Sequence, residues 1–142
     1  MDEDGLRNSL DVGPLESRTV WARSRVTMNE VTARLVESNA LKKGDVLGVA
    51  RYAAVQATKS TGMYLPLFHA ASMHAARVSF EIGEDFIDVR VEFPGQGLAA
   101  RMPALTAATV AALTIFDMCK AVDRTMTIGS VECVEVERTG DG

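Results

Sequence analysis

The stretch ALTAATVAALTIFDMCKAVDRTMTIG, residues 104–129, decides how this chain reads. Across residues 104–118 it carries a single charge, Asp117, among small and apolar residues. That composition suits a helix packed on most of its faces, since a buried stripe tolerates an ion poorly. Charge then arrives abruptly, as Asp117, Lys120, Asp123 and Arg124. Asp117 and Lys120 are three apart, so on a helix they share a face, one turn from each other. A carboxylate beside an ammonium at such a helix end is either an internal ion pair or an acid/base pair facing a ligand. Helix geometry leaves both open.

Upstream of this helix, Pro94-Gly95-Gln96-Gly97 reads as a loop. Residues 74–93 before it read as a hairpin. Val78, Phe80 and Ile82 alternate, Gly83-Glu84-Asp85 turns, and Ile87, Val89, Val91 and Phe93 alternate again. Residues 17–26 alternate Val20, Ala22 and Val26 with arginines, as a half-buried strand does. Asn29 is placed to cap a short helix with Val31, Leu35 and Val36 on its apolar face. After Lys42-Lys43-Gly44, Asp45 can cap a second helix to about Lys59, with Val46, Val49, Ala50 and Ala53 as the stripe and Thr61-Gly62 as the stop. Pro66 holds residues 64–71 extended around His69. Downstream, Val131, Cys133 or Val134, and Val136 alternate in a last strand. Hairpin strands with interspersed helices imply an α+β layer fold, with helices packed on one face of a mainly antiparallel sheet.

At 142 residues the chain is long enough for one domain and too short for two ordinary ones. We expect a mobile acidic arm over residues 1–13, a domain over 14–137 and a flexible tail over 138–142. A net charge of -4 argues against a general nucleic-acid binder while leaving room for a local cationic pocket. Cys119 and Cys133 cannot make a disulfide scaffold, and two histidines are too few for an obvious metal cluster. The acidic start MDEDGLRNSL is not a signal peptide. No run reaches the roughly 18 apolar residues that a membrane helix needs. The expectation is a cytoplasmic, single-domain protein without a membrane span.

Four places hold polar groups where the pattern predicts burial or constraint. Lys43 sits at a turn opening a helix, where a solvated lysine is the plain reading. His69 lies in an otherwise apolar segment, where a satisfied core histidine is usual. Lys59 ends its helix, where a cation suits the helix dipole whatever its function. Asp117 with Lys120 is the fourth. No Ser/His/Asp order, no Gly-rich phosphate loop and no CxxC or HxxxH pattern appears.

Together these places resemble the cyclic pyranopterin monophosphate synthase family of molybdenum cofactor biosynthesis. The resemblance runs over about residues 18–131 and is most specific in the opening stretch, with its DMCK motif. Lys43-Gly44-Asp45-Val46, Ala50-Arg51, Lys59 and Leu65-Pro66-Leu67-Phe68-His69 match further landmarks in the right order. The resemblance implies a ferredoxin-like subunit, dimers assembled into a hexamer, and sites at subunit interfaces. It implies a lyase that turns a cyclised, GTP-derived nucleotide into a pterin with release of pyrophosphate. An upstream radical enzyme supplies that substrate, and no cofactor or metal is called for. Such chemistry needs proton donors and acceptors, and cations to hold phosphate charge. By resemblance Asp117, Lys120, Lys43 and His69 carry the catalysis. Lys59 binds phosphate, and Leu67, Phe68, Arg101, Met102 and Pro103 line the substrate.

The chain departs from the family at one end of this set. Where the family has two glutamates flanking a methionine, this chain reads Arg101-Met102-Pro103, so both carboxylates are absent. A guanine-derived ring offers N–H donors to a carboxylate, and Arg101 supplies no acceptor. Pro103 removes a backbone donor and is expected to stiffen a loop. Phe68 and Ala70 replace a cysteine and a proline around the histidine, and the tail lacks the family's lysine and serine. Three readings follow: a pterin synthase with compensating contacts, a paralogue rearranging another nucleotide-like substrate, and a non-catalytic member.

Overall fold

The computed structural model describes residues 18–65, 67–68 and 76–137. The expected arm and tail, Pro66, His69 and Ala70 lie outside the described residues. Alternation builds β1 (Arg18–Thr27) and the hairpin after it as read, whereas Val131, Val134 and Val136 of the last strand are exposed, on the edge of the sheet. In β1 Val20, Ala22, Ser24 and Val26 are buried, while Arg23 and Arg25 point to solvent. The hairpin of β2 (Arg77–Ile82) and β3 (Phe86–Pro94) buries Ile87, Val89, Val91 and Phe93 on the same face. With β4 (Thr127–Glu137) the strands pair antiparallel in the order β2-β3-β1-β4. Helices enter after β1 and after β3, which gives the βαββαβ connectivity of a ferredoxin-like sandwich.

Both early helices start where their caps were read. Asn29 Oδ1 accepts the Thr32 N–H at the head of α1 (Glu30–Glu37), and Asp45 Oδ1 accepts the Gly48 N–H at the head of α2 (Val46–Lys59). Their buried faces differ from the expectation. In α1 Thr32, Ala33 and Val36 are buried, and Val31 is 68% exposed. In α2 the buried set is Val46, Ala50, Ala54, Ala57 and Thr58, while Val49 is 44% exposed. The reason is the partner: α2 lies against α4 (Leu98–Cys119), whose facing residues are themselves alanines, and close axes select small side chains. Past Ser60 the chain makes one more helical turn, α3 (Thr61–Tyr64), instead of stopping at Thr61-Gly62.

The helix α4 is the centre of the core. Its buried residues Ala100, Pro103, Ala104, Ala107, Ala108, Ala111, Ala112, Ile115, Met118 and Cys119 recur in doublets one turn apart, so one edge meets the sheet and the other meets α2. The threonines are satisfied locally: Thr106, Thr109 and Thr114 donate to the carbonyls of Met102, Leu105 and Val110. Ser24 of β1 donates to the Ala108 carbonyl at 2.8 Å and ties sheet to helix. By length and hydropathy α4 could cross a membrane, contrary to the expectation that no segment qualifies, because it begins six residues before Ala104. Half of its most apolar window is instead buried within the fold.

Candidate active site

The C-terminal end of α4 brings three of the sequence candidates together. Lys120, the C-cap residue, donates from Nζ to Asp117 Oδ1. The two side chains are 56% and 65% exposed, so the pair is not internal; α4 surfaces in its last turn. Lys43 reaches the same place from the turn before α2, its Nζ 3.5 Å from the Asp117 carbonyl oxygen. That turn closes through the Gly44 N–H on the Leu41 carbonyl, with Gly44 at φ +106, a conformation suited to glycine. The hydrogen bond from Lys120 and its charge, with a smaller contribution from Lys43, hold the Asp117 carboxyl below the usual carboxylate range. Asp117 is therefore ionised at neutral pH, and two ammonium groups stand beside one carboxylate on an accessible surface.

Directly beneath lie two groups the sequence reading did not select. Cys119 is fully buried, and burial together with the Asp123 charge pushes its thiol up to about 11. It is a neutral packing residue and no nucleophile. Asp123 is 2% exposed and accepts four hydrogen bonds from neutral donors. Oδ2 takes the Asn29 N–H and the Thr32 hydroxyl, each at 2.9 Å. Oδ1 takes the Thr125 N–H at 2.8 Å and its hydroxyl at 2.6 Å. Burial pushes this carboxyl up, but the Thr125, Asn29 and Thr32 donors outweigh it and bring it to about 2. The Asp-x-Thr spacing was the available signal, since Asp favours bonds to donors two residues on.

The remaining described candidates lie at the opposite end of the helical layer. Arg101, Met102 and Pro103 belong to the second turn of α4, not to a loop. Pro103 is buried inside the helix, and its missing N–H leaves the Ala99 carbonyl without its usual intrahelical donor. Arg101 is not free: its Nε lies 3.7 Å from Glu135 on β4. Glu135 also lies 3.7 Å from Arg18 and accepts the N–H of Gly97, the N-cap of α4, which has no side-chain cap of its own. A carboxylate from β4 thus stands beside position 101, paired with its guanidinium. Lys59 stands exposed in the last turn of α2, Leu67 is 93% exposed and Phe68 is half-buried.

The two groups are far apart. From Arg101 to Asp117 the helix rises about 24 Å, and α2 is about 20 Å long. Because Lys43, before α2, meets the end of α4, the two helices run antiparallel and Lys59 falls at the Arg101 end. A hollow of about 300 Å³ on the other face of the sheet, lined by Arg23, Arg25, Asp88 and Glu132, contains none of these residues. Its charges pair off as Arg23–Glu132 and Arg25–Asp88.

The chain is similar to known sequences over nearly its whole length. The MoaC family model matches residues 11–140. The chain is 40% identical to a cyclic pyranopterin monophosphate synthase of Chloroflexus aggregans, covering 99% of this chain and 90% of that one. It is 42% identical to one from Pelotomaculum thermopropionicum, over 94% and 82% of the two chains. A third, from Parvibaculum lavamentivorans, is 39% identical over 92% and 85%.

Proposed function

The chain belongs to the MoaC family, and from that premise we propose that it catalyses the reaction of the cyclic pyranopterin monophosphate synthases to which it is similar. It is then a lyase of molybdenum cofactor biosynthesis, acting in the cytoplasm on a cyclised, GTP-derived nucleotide supplied by an upstream radical enzyme. The observation that carries the reading is the meeting of Lys43, Asp117 and Lys120 at the end of α4. Rearrangement of the ring system requires a proton to leave one atom and arrive at another. The ionised Asp117 can accept it and the Lys120 ammonium can return it. Closing a cyclic phosphate with loss of pyrophosphate develops charge on phosphate oxygens, which Lys43 and Lys120 are placed to stabilise. Of the three readings left by the sequence, the synthase is favoured by relatives matching nearly the whole chain.

One chain does not complete this site. A substrate held at Asp117 is about 20 Å from Lys59 and Arg101 of the same subunit, beyond hydrogen-bond reach. We place the missing contacts in a second copy, whose Lys59–Arg101 end meets the Asp117 end of the first, within dimers assembled into a hexamer. His69 joins as the resemblance implies. Purified protein supplied with the cyclised precursor should release pyrophosphate and yield the pterin, read by fluorescence after oxidation. Absence of product at high enzyme concentration would refute the activity.

A further inference from the structure

Asp123 is a buried ionised group that the chemistry above does not use. A carboxylate at 2% exposure is costly unless its oxygens are satisfied, so its surroundings are built to hold it. Each oxygen serves a different element. Oδ1 closes its own turn through Thr125, and Oδ2 reaches across to the junction of β1 and α1 through Asn29 and Thr32. Asn29 in turn caps α1 through Thr32, so the first turn of that helix and the exit of α4 share one network. The exit is short. The N–H groups of Val122 and Asp123 both return to the Cys119 carbonyl at 3.0 and 3.1 Å, which wraps the segment carrying Lys120 into one turn.

We propose that Asp123 is a positioning residue for Lys120. By fixing the chain three residues beyond it to α1, Asp123 keeps the last turn of α4 from fraying at its C-cap and holds the Lys120 ammonium on Asp117. Among the described residues, the Lys120 side chain is otherwise secured by that exposed ion pair alone, which is weak by itself. A helix end is where local opening costs least, so an anchor immediately past the end has the greatest effect there.

Asp123→Asn tests this with almost no change in volume. The amide keeps one acceptor oxygen but turns an NH2 toward donors, breaking one side of the network. In the full-length protein, folded by circular dichroism, kcat should fall about tenfold or more while KM stays within a few-fold, as expected when a proton-transfer group is misplaced. Asp117, followed by carboxyl-carbon NMR, should titrate higher than in the parent, toward the ordinary aspartate range. Thr32→Val, which removes only the hydroxyl from α1, should move both readouts the same way by less and serves if the first variant does not fold. Unchanged kcat and unchanged Asp117 titration in the folded variant would overturn the proposal and leave Asp123 a stability element. The turnover measurement rests on the synthase reading. The NMR titration does not, so an inactive parent protein and a wrong role for Asp123 give different results.

Discussion

The two ends of α4 are built on opposite plans. At the C-terminal end three charged side chains meet on an open surface, while the neighbouring Cys119 and Asp123 are buried. At the N-terminal end charge is locked into structure: Glu135 takes Arg18, Arg101 and the free N–H of Gly97 at once. The first arrangement leaves Asp117, Lys43 and Lys120 available to a substrate. The second uses a strand carboxylate to cap a helix that lacks a capping side chain. The difference teaches that the charge of Arg101 is paired off within the fold, while the Asp117 end remains exposed and charged.

Four changes would break or sharpen that contrast. Lys120→Ala should give the largest effect, lowering kcat at least about a hundredfold. Its melting temperature should hardly move, because exposed ion pairs contribute little. A large drop in melting temperature would mean that the pair is structural after all. Acid should act next. The Asp123 carboxyl is held near 2 in the folded chain, below its ordinary 3.8. It therefore contributes stability that is fully present above about pH 4 and is lost as pH falls toward 2, about 2 kcal/mol in all. Urea unfolding at pH 6 and pH 2.5 should show this loss in the parent and much less of it in Asp123→Asn.

The middle of the helix should respond through packing alone. Ala111 is fully buried between its neighbours, and Ala111→Leu should cost about 1–3 kcal/mol in urea unfolding. Glu135→Gln should give the smallest effect. It weakens partly exposed ion pairs and one cap, about 1 kcal/mol, and should raise KM without a comparable fall in kcat. A fall in kcat at constant KM would erase the distinction between the two ends.

Much of this was legible beforehand because it is local. Asn29 and Asp45 announced two helix starts, and the alternation in residues 87–93 announced a strand buried on one face. What escaped depended on partners. Val31 and Val49 were assigned to buried faces because they are apolar, yet contact with an alanine-lined helix selected Ala54 and Ala57 in α2, and in α1 Thr32 turns inward to Asp123. Pro103 masked the true start of α4, since proline inside a helix is unfavourable and reads as a boundary. Glu135 carried no reading of its own, and no sequence pattern reveals that Arg101 packs beside it. In the candidate site, the resemblance singled out Lys43, Asp117 and Lys120 together with His69 and Lys59. Only the fold shows that Lys59 lies at the other end of the layer.

That separation makes the sharpest test a complementation. Lys59→Ala and Lys120→Ala, each impaired alone, are unfolded, mixed and refolded together, and pterin formation is measured per subunit. If two chains share each site, mixed assemblies contain sites with both lysines intact, and activity should rise well above that of either variant refolded alone. Activity no higher than the average of the two separate variants would contradict a site joined from the two ends of α4.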